Sequence, residues 1–238
     1  MTLEGYALVK RYQQRAVVDR LSLSVEQGQI TGLLGPNGAG KTTTFLLLIG
    51  FISADGGRVV LDGRDISDDP FYRRARLGIG YLPQEPSVFT KATVSHNLEM
   101  ALEWSGPASQ RAARRNQLLD EFKLTPLAAR RAGTLSSGER RRLEIARSLA
   151  TAPRFMLLDE PFSGIDPLSI ADLKREILQL KQRDIGVVIT DHNVRDTLSI
   201  TDHTYLINNG QLMSAGSPSD ILEDPLARRF YLGDDFRA

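Results

Sequence analysis

Nine residues, Gly35-Pro36-Asn37-Gly38-Ala39-Gly40-Lys41-Thr42-Thr43, fit the spacing G-x-x-x-x-G-K-[ST]. An apolar run from Ile30 to Leu34 precedes them and Phe45 to Ile49 follows, the strand–loop–helix context of a phosphate-binding loop. Glycines let the backbone curl until successive amides point at one spot, and the helix start adds positive potential there. Lys41 has the length to reach β- and γ-phosphates, and the Thr42 hydroxyl suits Mg²⁺. The ligand this predicts is a nucleotide, bound through its phosphates with Mg²⁺.

Four apolar runs end in polar groups. Ile30 to Leu34 runs into the phosphate loop, and Gly78 to Leu82 stops at Pro83-Gln84. Phe155 to Leu158 ends at Asp159-Glu160, and Gly186 to Ile189 at Thr190-Asp191-His192. In an open parallel sheet, ligands bind beyond the carboxyl ends of the strands, so all four ends are expected on one edge. Asp159 is then placed to hold Mg²⁺. Glu160 is a second carboxylate that the metal does not require, suited to orienting and deprotonating a water that attacks the γ-phosphate. His192 can donate to that phosphate, and Gln84 can touch either Mg²⁺ or the water. Tyr12, upstream, offers a ring that could stack on adenine or simply pack.

A further stretch, Leu135-Ser136-Ser137-Gly138-Glu139, leads into Arg140-Arg141-Arg142-Leu143 and admits two readings. One is a helix capping box, Ser136 as cap and Glu139 three residues on. The other is a second anion site at that helix start, used by a phosphate from outside this subunit. The two are compatible.

The elements that must position these residues follow from periodicity and breaks. Residues 1–34 alternate in short runs (Ala7 to Val9; Leu21, Leu23, Val25), and Gln27-Gly28-Gln29 reads as a hairpin-type break before Ile30. Asp55-Gly56-Gly57 reads as a turn before a strand Arg58 to Leu61. Val94 to Ala150 is helical in texture, with breaks at Gly106-Pro107 and Pro126. Asp172 to Gln182 is an amphipathic helix, and Thr204 to Met213 is a hairpin turning at Asn209-Gly210. The fold class is α/β: a P-loop NTPase core with a mostly parallel sheet, an N-terminal antiparallel β subdomain and an inserted helical subdomain near 85–150. All of it forms one domain, 1–238.

At 238 residues with 41% hydrophobic composition, the chain can bury a substantial core. Thirty basic residues against 29 acidic ones leave a net charge of +1, so no nucleic-acid partner is expected. There are no cysteines, which excludes disulfides and thiolate metal sites. Met1 to Gly5 shows no export signal, and the longest apolar stretch, Phe45 to Ile52, is broken by Gly50. A role at a membrane would require a partner to hold the protein there.

In this order, Tyr12, Gly35 to Thr43, Gln84, Leu135 to Glu139, Phe155 to Glu160, Ser163-Gly164-Ile165-Asp166 and His192, the sequence resembles the nucleotide-binding domains of ABC transporters over essentially its whole length. The resemblance implies a homodimer sandwiching two ATP molecules head to tail. Ser136, Ser137, Gly138 and Glu139 of one copy would then meet the γ-phosphate held by Lys41 of the other. Ser163 to Asp166 would lie across the interface. It further implies integral membrane partners, contacted near Gln84 and Phe89, and a place on the cytoplasmic face of the inner membrane. Gly78 to Glu85, Glu139 to Arg142 with Glu144 to Arg147, Thr190 to Arg195 and the ending Tyr231 to Arg237 look most like the ATPases of lipopolysaccharide exporters. Alternatives are ATPases of branched-chain amino-acid importers and soluble ABC ATPases without a transport role. One departure stands out: Ser137 occupies a position where relatives usually carry glycine.

Overall fold

The computed structural model describes residues 1–103 and 105–233. Two long N-terminal strands, β1 (Thr2–Tyr12) and β2 (Arg15–Glu26), form an antiparallel hairpin. The chain then enters β3 (Ile30–Leu34), the phosphate loop and α1 (Lys41–Leu48), followed by β4 (Gly56–Leu61), the two-residue β5 (Arg64–Asp65) and α2 (Phe71–Arg76). After β6 (Ile79–Leu82) come α3 (Val94–Leu102), α4 (Ala108–Glu121) and α5 (Ser137–Ser148). The second half alternates: β7 (Phe155–Asp159), α6 (Pro167–Gln182), β8 (Gly186–Thr190), α7 (Val194–Leu198) and β9 (His203–Asn208). It closes with β10 (Gln211–Gly216), α8 (Pro218–Glu223) and α9 (Pro225–Ala227).

The strands make two sheets. One is antiparallel, in the order β2-β1-β4-β5; the other runs β10-β9-β3-β8-β7-β6 and is parallel except for β10. The α/β class with an antiparallel N-terminal layer and a helical insertion is therefore observed. Every residue of β3, β7 and β8 is buried, as expected of central strands covered on both faces. Side chains alternate across them. Phe155, Leu157 and Val188 pack with α1 and the antiparallel sheet, whereas Met156, Leu158, Val187 and Ile189 pack with α3 to α6. α1 is thus wedged between the sheets, which fixes the helix start that carries Lys41.

Two local expectations are corrected. Gln27-Gly28-Gln29 makes no hairpin: β2 belongs to the antiparallel sheet and β3 to the parallel one, so the turn carries the chain between layers. The turn signal was real, but the pairing of its arms is decided by distant strands. Gly56 and Gly57, expected in a turn, open β4. Gly57 sits at φ +80°, and a Cβ there would lie 2.4 Å from the carbonyls of Tyr6 and Ala7. The glycines serve close approach to a bulged β1 rather than a reversal. α6 also begins earlier than its apolar stripe suggests, capped by Asp166, whose side chain accepts from the Ser169 amide, with Pro167 in its first turn.

Candidate functional site

The phosphate loop connects β3 to α1 and is propped from behind by the β9–β10 hairpin. The Gly210 amide donates to the Ala39 carbonyl at 2.9 Å. Gly40 (φ +105°) must be glycine, because a Cβ would lie 2.6 Å from the Val17 carbonyl. Val17, Asn37, Gly38, Gly40, Lys41, Thr42, Thr43 and Glu160 line one open concavity. Lys41 is buried, and its ammonium donates to the carbonyls of Gly35 (2.8 Å) and Pro36 (3.1 Å), folded across its own loop. Burial lowers its pKa, against the pull of Glu160, Asp159 and Asp191.

Opposite the loop, the Thr42 hydroxyl donates to Asp159 Oδ1 at 3.4 Å and the Tyr81 hydroxyl to Oδ2 at 3.3 Å. Burial raises the Asp159 pKa, and these two hydrogen bonds oppose the rise. Glu160 follows, with its backbone in the left-handed region at φ 46° and its amide donating to the Thr190 carbonyl at 2.7 Å. Gln84 Nε2 donates to Glu160 Oε2 at 2.7 Å. His192 Nδ1 lies 3.6 Å from that same oxygen and 3.6 Å from Asp191 Oδ1. A carboxylate that faces a phosphate loop between an amide and an imidazole can orient and deprotonate a water. The oxygen donors of Thr42, Asp159 and Gln84 suit a hard cation such as Mg²⁺, which takes few protein ligands besides phosphates and water.

The four strand ends do meet on one edge. Ser136 to Glu139 stand apart: among the described residues, none of the four lines the concavity over the phosphate loop. Ser136 and Glu139 form the capping box, Ser136 N to Glu139 Oε2 at 2.8 Å and Glu139 N to Ser136 Oγ at 3.2 Å. Gly138 is buried against α6, where a Cβ would come within 2.6 Å of Ser169 Oγ. Ser137 is exposed at the helix start, so a side chain fits there and not one residue later. Tyr12 is 49% exposed at the end of β1 and does not line the loop concavity; Val17 does.

Sequence reasoning gave no role to several residues that shape this edge. Tyr81 is one. Arg141 is another: from α5 it donates to the carbonyls of Pro83 and Asp159, both at 2.9 Å, and to Glu144 Oε2 at 3.0 Å. Glu144 in turn accepts from the Ser87 amide at 2.8 Å. Asp191 had only its adjacency to His192 to signal it. In a run of arginines, Arg141 had no signal at all. Phe89 is 52% exposed, its loop fastened by the buried Asn97 side chain through the Phe89 amide (2.9 Å) and carbonyl (3.0 Å).

A phosphate loop, a strand-end Asp-Glu pair and a neighbouring imidazole on one edge of a parallel sheet define a nucleotide-hydrolysing P-loop protein. The helical insertion and the capped α5 narrow the class, and comparison with known proteins agrees. The profile of the ABC transporter family matches residues 18–163. The lipopolysaccharide export system ATP-binding protein LptB of Acidithiobacillus ferridurans is 50% identical over 237 residues, covering 99% of this chain and 98% of that protein. LptB of Escherichia coli is 49% identical, covering 99% of each. Among solved structures, a nucleotide-free ATP-binding cassette from an ABC transporter aligns with a TM-score of 0.88 at 29% identity, covering 98% of this chain and 100% of that one. The chain belongs to the ABC transporter family, as one of its ATP-hydrolysing cassettes. Among the described residues, no helix is long and apolar enough to cross a membrane.

Proposed function

We propose that this protein is the ATP-hydrolysing motor of a lipopolysaccharide exporter, working as a head-to-tail homodimer on the cytoplasmic face of the inner membrane. The observation that carries the hydrolytic reading is the convergence of Gln84 and His192 on Glu160 beside the phosphate loop. Amides 38–43 and Lys41 hold the β- and γ-phosphates, with Lys41 leaving the Gly35 and Pro36 carbonyls to do so. Glu160 takes the proton of the attacking water, Gln84 orients that water, and His192 donates to the γ-phosphate. Thr42, Asp159 and Gln84 hold Mg²⁺, which neutralises charge on the phosphates when bound. Tyr12 supplies the ring against adenine.

The partner copy completes each site with Ser136, Ser137, Gly138 and Glu139. Their separation from the phosphate loop within one chain supports that division, as does their place at the positive end of a helix. The cargo reading rests on two LptB relatives near 50% identity along almost their full length. It is supported also by the Thr190-to-Arg195 wording; of the matching C-terminal wording, Asp234 to Arg237 lie outside the described residues. Residues 1–238 act as one unit, with 85–150 as the lobe that moves against the core. Membrane subunits dock near Gln84 and Phe89. Affinity isolation from detergent-solubilised membranes tests the assignment: two different exporter subunits are expected, and an importer permease or a ribosome in their place contradicts it.

A further inference from the structure

Asp191 is fully buried directly behind His192 and takes no part in the chemistry above. Its two oxygens serve two different loops. Oδ2 accepts the Phe162 amide at 2.9 Å, and Oδ1 accepts the Asn193 amide at 2.9 Å. Phe162 follows Glu160 by one intervening proline, Pro161, which has no amide to offer and a fixed φ. The Glu160 amide already donates to the Thr190 carbonyl. The end of β8 therefore holds the chain on both sides of Pro161, and so keeps Glu160 in its left-handed conformation, a geometry that persists only when its surroundings over-determine it. The Asn193 bond closes the turn that carries His192, whose Nδ1 faces both Asp191 and Glu160.

We infer that Asp191 is a positioning residue for hydrolysis: one buried carboxylate sets the register of the Glu160 loop against the His192 turn. The inference rests on the hydrolytic roles proposed for those two residues. It needs a carboxylate rather than any residue of that size, because two backbone amides approach two separate oxygens. Asparagine could accept only one and would turn its own N–H₂ toward the other.

Asp191→Asn and Asp191→Ala, in the full chain, test this against the wild type. ATP turnover, binding of labelled ATP, thermal unfolding and amide exchange at Phe162 and Asn193 are measured together. For Asp191→Asn, kcat falls about tenfold or more with KM within about twofold. Labelled-ATP affinity holds, and the two amides exchange faster. Asp191→Ala loses protection at both amides with the same split between kcat and KM. An unchanged kcat in Asp191→Asn overturns the inference. Equal loss of ATP affinity, turnover and melting temperature in both variants also overturns it, since that is a purely structural role. Wild-type protein that binds ATP without hydrolysing it contradicts the functional reading instead, a result that needs no substitution.

Discussion

Glu160 offers one carboxylate oxygen to both Gln84 and His192 while its backbone is held at φ 46°. Glu160→Gln keeps the size and the hydrogen-bonding shape and removes the carboxylate proposed as the base. ATP binding is expected to persist while turnover drops on the order of a hundredfold or more, read by phosphate release; unchanged release would remove Glu160 from that role. Ser137 and Gly138 separate two demands that the sequence alone merges. Gly138 is fixed by α6, whereas Ser137 is exposed with its side chain free of the contact. Ser137→Gly therefore leaves turnover similar or raises it, and a collapse in a steady-state assay would assign the serine a function. The residues whose types announce chemistry, Lys41, Asp159, Glu160 and His192, were legible because each ends a strand or begins a helix. Tyr81, Arg141 and Asp191 were not, because their importance lies in partners 18 to 78 positions away in the chain or in a backbone amide that no side chain reveals.

At the scale of elements, the seam between α5 and α6 holds a charge out of place. Glu176 on α6 is 5% exposed, and neither of its oxygens has a hydrogen-bond partner. Burial pushes its pKa from 4.5 to about 7, although Arg142 of α5 and Lys123 after α4 pull it down. Below the unfolded-state pKa both states hold the proton and nothing is lost. As pH rises from the unfolded-state value toward the folded-state one, the unfolded chain has released a proton that the folded chain still holds, so stability falls and levels off once the folded-state value is passed. The cost reaches about 3 kcal/mol above neutrality. Glu176→Gln should melt several degrees above the wild type near pH 8, with the gap narrowing toward pH 5; a gap independent of pH would contradict this. The same lobe is tied to the site by Arg141, which bridges α5 to the carbonyls of Pro83 and Asp159. α3, α4 and α5 were readable from their periodicity and breaks. The passage of Gln27-Gly28-Gln29 between sheets was not, because a turn's composition does not specify which strands its arms will pair with.

Across the whole molecule, the chain's C-terminal turn returns beneath the phosphate-loop strand. Tyr231 and Leu232 pack against a cluster containing Leu34, Leu198 and Leu206. Burial pushes the Tyr231 hydroxyl up to about 12, against the pull of the Gly35 amide. The order of the six-stranded sheet brings together ends that are far apart in sequence, and a sheet order of this kind follows from packing of the whole rather than from any one segment. The same assembly leaves Ser136 to Glu139 outside the concavity that holds Lys41, and the proposed function makes each chain carry two halves of different sites. The mass of Glu160→Gln in solution, with and without ATP, tests that claim most directly. Saturating ATP should double it, because nucleotide binds between two copies and hydrolysis no longer releases them, and Lys41→Ala in the same background should stay monomeric. A Glu160→Gln protein that binds ATP tightly yet remains a monomer would contradict the two-copy site.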